Sequence, residues 1–399
     1  MVAASEQVAA IRQEQKYRVF RLAGRPIIAT PASPLLLRLA GLSQYRPLTK
    51  KRSLLRAALR IAAVGGVDGL FARTSLTPFT PAEDFGFQQW LNKIRRTLRM
   101  PSVTATVIWP QLIRRKRVYV HLMAPSGAPV AFCKISLDSA NADRLKNEIE
   151  ALTALRETGR LSLTRVPQIL HQDVISGYRY VVYEPFPLDL VPLKHSWDAL
   201  APCVTEISGN IRRLDRAGLE QCDWWQRFVR GRGRHLPEFL QQVDEAVARP
   251  MAVCRVQGDA TPSNIFRSRD SIWICDWEFS SPTAPHRTDE LSYYLAANHY
   301  QCLIRPDATL VACFQRFAGD RDRDSIGELV LALAFLCGRS DPRALKIVRH
   351  WRSLSHVRAP RIEPAALGAF PEHSLGHQPI GLVRRCTERD IFRRGGSDH

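Results

Sequence analysis

The run RVYVHLMAPSGAPVAFCKIS, residues 117–136, limits what this chain can fold into more than any other feature. Two β-rich stretches, RVYVHLM and VAFCKIS, alternate in polarity on either side of a Pro- and Gly-containing segment. Period-two alternation around such a turn predicts an antiparallel hairpin with one face buried. TATVIW, just upstream, adds another strand. A helix follows, roughly from Ala142 to Thr158, with Leu145, Ile149, Leu152 and Leu155 at helical spacing and Gly159 at its end. RYVVYEPF reads as a short buried strand running into Pro185, and from Trp197 the pattern is mostly helical, interrupted by SIWICDW. The expected class is α+β: a small antiparallel β-lobe with one helix, a linking strand and a larger helical lobe. A cleft between two such lobes suits a nucleotide.

Charge narrows the partners. The chain of 399 residues has a formal net charge of +19, which favours an anionic ligand or surface. Residues 1–98 hold 16 Lys/Arg against 5 Asp/Glu and form a basic, mostly helical N-terminal region, densest in QYRPLTKKRSLLRAALR. The stretch Leu54–Phe71 contains Arg56, Arg60 and Asp68, and its uncharged run is too short to span a bilayer. It reads as a buried helix, with a surface-lying amphipathic helix as the alternative. No secretory leader pattern opens the sequence, so the expected location is cytoplasmic, or peripheral to an anionic membrane through the basic region. The nine cysteines show no C-x-x-C spacing, so buried thiols in a reducing compartment are expected rather than a zinc site. Nucleic acid is not the expected partner.

The chemistry concentrates in RVQGDATPSNIF and SIWICDW. The segment between Asn264 and Asp276 reads as a hairpin centred on Asp270, which sets 264 opposite 276 at the same open end. An amide oxygen and a carboxylate there, with Asp259 just upstream, suit a hard cation such as Mg²⁺; a polar hairpin base is the plainer alternative. Lys134 sits on an otherwise apolar strand, on the face of Val130 and Phe132. Glu148 falls near the apolar face of the following helix, where a carboxylate needs a cation. Lys134 is its expected partner, with Arg144 as the alternative.

These elements together resemble the aminoglycoside phosphotransferase and choline kinase-like superfamily, small-molecule relatives of the protein kinases. The resemblance covers roughly residues 100–350 and is strongest in VQGDATPSNIF…SIWICDWEFSSP, similar to the family's H-G-D-x-x-P-x-N…I-D-W-E run. It implies a protein kinase-like two-lobe fold and ATP with Mg²⁺ as cofactors. Asp259 would meet the acceptor hydroxyl, Asn264 and Asp276 would hold the metal, and Lys134, fixed by Glu148, would contact the phosphates. The hinge VYEPF, with Glu184 and Phe186, would meet the adenine through its backbone. Asp289 would have a structural role.

Two departures stand out. PQLIRRK, with Arg114, Arg115, Lys116 and Arg117, replaces a glycine-rich turn and reads as a solvated basic turn or a phosphate cover. Gln257 stands where the family has His. Trp224 and Trp225 are expected in the core, with the lining of an acceptor pocket as the alternative. The resulting division is 1–98, a basic N-terminal region; 99–186, a nucleotide-binding lobe and hinge; 187–360, a helical lobe with the catalytic loop; and 361–399, an irregular tail. The expected function is ATP-dependent phosphoryl transfer to a hydroxyl of a small molecule such as a sugar, amino alcohol or antibiotic-like compound. The alternatives are a nucleotide-binding scaffold without activity and a peripheral-membrane kinase acting on polysaccharide or lipid-linked precursors.

Overall fold

In the computed structural model, residues 15–45, 50–80, 84–110, 116–187, 189–193, 197–269, 271–317 and 323–351 are described. The expected irregular tail 361–399 and the Arg114–Arg115 part of the basic turn lie outside them.

The first lobe is built on β1 (Tyr17–Leu22), β2 (Arg25–Pro31), α1 (Leu35–Gln44), α2 (Lys50–Val64), β3 (Ala72–Ser75), α3 (Phe87–Thr97), β4 (Thr104–Ile108), β5 (Arg117–Met123), β6 (Pro129–Ser136), α4 (Ser139–Thr158), β8 (Ile169–Ile175) and β9 (Tyr178–Tyr183), while β7 (Thr164–Arg165) joins a sheet of the second lobe. Eight of the described strands form one antiparallel sheet in the order β3-β1-β2-β4-β5-β6-β9-β8. The hairpin β5–β6 forms where alternation placed it. Gly127, at φ +80°, turns the chain, and Ala124 and Ala128 close the turn at 2.9 Å.

The two sheet faces have different fates. Val118, Val120 and Leu122 of β5 and Ala131, Cys133 and Ile135 of β6 bury against Phe87, Trp90, Leu91 and Ile94 of α3. The opposite face carries Tyr119, Phe132 and Lys134 and turns toward the helical lobe. Helix α4 starts at Ser139, three residues before the expected position, because the Asp138 carboxylate accepts the Asn141 N–H at 2.8 Å and caps it. It ends at Gly159, as its left-handed backbone allows.

Among its described residues, the N-terminal region has three α-helices and also three strands that the sequence reading did not include. β2 pairs with β4 (Ile28↔Ile108, Ala29↔Val107), so the sheet continues past residue 99 instead of beginning there. An otherwise open edge is covered in this way. Helix α1 lies close on the sheet at Gly41, where a Cβ would come within 3.0 Å of Thr30 Cγ2 and closer still to Thr106 Oγ1. The helix expected over Leu54–Phe71 stops at Val64. Gly66, at φ +73°, and the Val67 N–H bonded to Ala62 O terminate it. The buried Asp68 beyond it binds Arg38 at 2.7 Å and Arg18 at 2.5 Å, fastening this region to itself.

The second lobe follows as β10 (Val191–Pro192), α5 (Trp197–Ser208), β11 (Arg212–Leu214), α6 (Arg216–Glu220), α7 (Asp223–Arg227), α8 (Pro237–Ala246), β12 (Met251–Val256), β13 (Ile265–Arg267), β14 (Ile272–Ile274), β15 (Ser281–Pro285), α9 (Thr288–Ala297), α10 (His299–Ile304), α11 (Pro306–Phe317), α12 (Arg323–Gly338) and α13 (Pro342–Val348). Its core gathers around α12, whose residues Leu329 to Cys337 are all buried. Trp224 and Trp225 belong to this core, and Trp224 Nε1 donates to Thr283 O at 2.8 Å. The eight described cysteines are free and buried. The protein is thus an α+β chain with an antiparallel-sheet lobe and a helical lobe.

Candidate active site

Register builds the upper wall. Ile108 pairs with Tyr119 and Tyr119 with Lys134, so the three side chains form a row across β4, β5 and β6 on the face opposite the α3 core. At the end of the row, Lys134 Nζ donates to both Glu148 oxygens at 2.8 Å and to Asp276 Oδ1 at 2.7 Å. All three contacts are charge-assisted, and the ammonium is almost wholly buried. Burial pulls the Lys134 pKa down, but Asp276 and Glu148 outweigh it and hold the group well above its ordinary value. Burial also raises the Glu148 carboxyl, with Lys134 pulling against that rise. Arg144, the alternative partner for Glu148, instead lies over the Phe279 ring at 5.2 Å.

The lower wall is the loop after β12. Gly258 has φ +83°, and a Cβ there would stand 2.8 Å from the Phe279 carbonyl carbon and nearer still to its oxygen. The Asp289 carboxylate accepts the N–H groups of Gln257 and Gly258, each at 2.7 Å, and anchors the turn. Burial pushes Asp289 up to about 6, against the pull of those amides. Gln257 uses its whole amide: Nε2 donates to Cys275 O at 3.0 Å and Asp276 O at 2.6 Å, while Oε1 accepts the Asp259 N–H at 2.7 Å. It therefore ties Asp259 to Asp276 with neutral hydrogen bonds. Asn264 Nδ2 donates to Asp259 O and Oδ2, both at 3.0 Å, leaving its side-chain oxygen, Oδ1, for another partner.

The hairpin register differs by one from the sequence expectation. Ile265 pairs with Ile274 and Phe266 with Trp273, and the Cys275 N–H reaches Asn264 O at 2.9 Å. Asn264 thus stands opposite Cys275 rather than Asp276, and the expected turn centre, Asp270, lies outside the described residues. The chain leaves the ladder at Cys275, and Asp276 adopts φ +60°, an uncommon conformation for a residue with a side chain. That local twist, rather than strand pairing, presents the Asp276 carboxylate to Lys134.

Two arginines take places that the sequence reading did not give them. Arg117, read from sequence as part of the basic turn, is buried at the start of β5 and ion-paired with Glu278, with Asp276 Oδ2 at 3.9 Å. Burial works against its charge, but Asp276, Tyr119 and Glu278 raise its pKa well above the usual value. Its place two residues before Tyr119 on an alternating strand was the available signal. Arg339 donates to Gly258 O, to Asp259 Oδ1 at 2.6 Å and to Asp341 Oδ2 at 3.0 Å, and lies over the Phe279 ring at 4.8 Å. It lies 80 residues from Asp259 along the chain, and no motif marks it.

Between the walls is a cavity of about 800 Å³ whose lining includes Lys134, Glu148, Asp276, Phe132, Tyr183 and Phe186. Phe186 packs on Phe132 at 5.2 Å. The Glu184 carboxylate folds back to accept the Gln168 N–H at 3.0 Å, so its side chain serves the chain crossing beside the hinge. Among the described residues no three His, Cys, Asp or Glu side chains converge as a metal cluster. The Asp276 carboxylate and the Asn264 amide oxygen are hard oxygen donors of the kind Mg²⁺ accepts beside phosphate oxygens.

No protein-family model and no curated protein matches this chain. Among solved structures, a glucosamine kinase (crystal form B) is 11% identical with a TM-score of 0.32, over 65% of this chain and 82% of that one. A choline/ethanolamine kinase family protein from Mesorhizobium loti is 16% identical with a TM-score of 0.28, over 60% and 85%. Glucosamine kinase in complex with glucosamine, ADP and inorganic phosphate is 13% identical with a TM-score of 0.29, over 66% and 79%. Likeness this distant transfers no residue role and no substrate.

Chemically, the cleft holds a buried cation, Lys134, against Asp276, which Gln257 ties to Asp259, a carboxylate whose two oxygens are held by Arg339 and Asn264. It offers neutralisation and positioning for a polyanion rather than a covalent nucleophile.

Proposed function

We propose that this protein is a phosphotransferase that moves the γ-phosphoryl group of ATP to a hydroxyl of a small molecule. The observation that carries this reading is the meeting of Lys134, Glu148 and Asp276 in one ion cluster at a cavity large enough for a nucleotide, with the Gly258–Asn264 loop joined to it through Gln257. In this reading the adenine lies against Phe132 and Phe186 and meets the backbone of residues 184–186. Lys134 holds the phosphates, and Asp276 with Asn264 holds Mg²⁺, which neutralises charge on the phosphates when bound. Asp259 orients the acceptor hydroxyl and takes its proton. The hydroxyl oxygen bonds to the γ-phosphorus as the bond from that phosphorus to the bridging oxygen breaks, and ADP departs with that electron pair.

The test is transfer of labelled phosphate from ATP to a panel of sugars, amino sugars and amino alcohols. Asp259→Ala should lower transfer by at least a hundredfold while nucleotide still binds. Unchanged transfer in that variant would end the reading.

A second reading, a kinase that works at an anionic membrane surface, is favoured by one observation. Helix α2 buries Leu59 and Ala63 but leaves Leu54 72% and Ile61 73% exposed, and Leu70 beyond it is 81% exposed. An apolar stripe in so basic a region suits an interfacial helix. No described helix is long and apolar enough to cross a membrane. Sedimentation with phosphatidylserine vesicles at low salt, lost in Ile61→Glu, supports this reading, and absence of binding at low salt removes it.

A further inference from the structure

The N-terminal region forms part of the same cavity. Gln44 and Tyr45 at the end of α1, and Arg56 of α2, line it together with Ile108, Trp109 and Lys134. Packing fixes them there. Tyr45 and Leu59 share a core cluster with Ile108, and Arg56 Nη1 donates to Tyr45 O at 3.0 Å. The hydroxyl of Tyr45, itself buried, has no hydrogen-bond partner among the described residues.

The row Ile108–Tyr119–Lys134 gives the scale. Two strand spacings of roughly 4.8 Å place the Ile108 and Lys134 positions about 10 Å apart. Arg56, bonded to Tyr45 O, borders the cavity next to the cluster that holds Ile108 at the end of β4. Arg56 and Lys134, cationic groups from separate parts of the chain, therefore line the same cavity. A guanidinium offers several N–H donors in a planar fork, and the bond to Tyr45 O uses only part of that capacity.

We propose that Arg56 is a phosphate-binding residue of this cavity, so that the N-terminal region forms a wall of the nucleotide site. The inference rests on the phosphotransferase reading above and names the group that supplements Lys134 on the phosphate chain. Arg56 then discriminates among nucleotides by phosphate number, because a cation on the phosphate chain gains nothing from an uncharged nucleoside.

The experiment is calorimetric titration of the full chain with adenosine, ADP and ATP in the presence of Mg²⁺, for the wild type, Arg56→Gln and Arg56→Lys. In Arg56→Gln, ATP affinity is expected to fall about tenfold and adenosine affinity less than twofold, with Arg56→Lys between it and the wild type for ATP. ATP affinity within twofold of the wild type in Arg56→Gln, or an equal loss for adenosine, overturns the inference and leaves the phosphotransferase reading standing. Should Arg56→Gln fail to fold, Arg56→Lys decides: a loss for ATP that exceeds the loss for adenosine supports the inference, and equal losses or none overturn it. A wild type that binds none of the three overturns both.

Discussion

Replacing Lys134 with Met tests the ion cluster most directly. The substitution keeps most of the apolar stem and deletes an ammonium with three contacts of 2.7–2.8 Å. Glu148 is then left buried beside Asp276 with no cation replacing Lys134. Removing one member of a buried ion pair costs about 3–5 kcal/mol, because the remaining charge is stranded. For a unit of 354 residues, an unfolding entropy of roughly 2.1 cal/mol/K per residue gives about 0.7 kcal/mol per degree. The expected loss in Tm is therefore about 4–7 °C. The pH dependence has a definite sign. Burial already raises Glu148, and without Lys134 it rises further above its unfolded value. Protonated Glu148 then favours the folded variant at low pH, and that support is lost as pH rises through the folded pKa. Melting curves of both proteins from pH 5 to pH 8 should show the deficit growing with pH. Glu148→Gln added to Lys134→Met should recover much of it at pH 8. A deficit below about 1 kcal/mol, a deficit equal at pH 5 and pH 8, or simple additivity in the double variant would refute the reasoning.

Three further outcomes follow from the same geometry. Gly258→Ala meets both a left-handed backbone and the Phe279 carbonyl, so it should cost more than the roughly 1–2 kcal/mol of backbone strain alone and displace Asp259; urea unfolding that matches the wild type would contradict this. Asp289, with a folded pKa of about 6 against an ordinary 3.8, lends stability that is present below pH 4 and lost as pH rises through 6, about 3 kcal/mol in all. The stability difference between wild type and Asp289→Asn should therefore shift against the wild type from pH 4 to pH 7, and a constant difference would exclude it. Arg339→Gln frees one oxygen of Asp259; phosphoryl transfer should fall by roughly tenfold or more with nucleotide affinity unchanged, and loss of nucleotide binding instead would show a different role for Arg339.

Much of the site was legible because its parts lie on regular elements. Alternation along β6 gave the face of Lys134, and helical spacing in α4 gave the inward direction of Glu148; the contact between them follows from those two periodicities. The one-residue error in the Asn264 hairpin had the opposite origin. Strand arithmetic assumes extended backbone up to Asp276, and a left-handed residue there is invisible in composition. The basic turn misled in a similar way, since charge implied solvent for Arg117 whereas Glu278, 161 residues away, allows its burial.

The sequence by itself determined the β5–β6 hairpin, helix α4 and the inward faces of both, because each depends on neighbours within a few residues. Only the tertiary structure decided which distant groups meet: Arg339 on Asp259, Arg117 on Glu278, and the N-terminal strands on β4 with Arg56 at the cavity. Those contacts depend on how separately formed surfaces close against one another. A charge or an open strand edge states that it needs a partner but does not say where along the chain that partner lies.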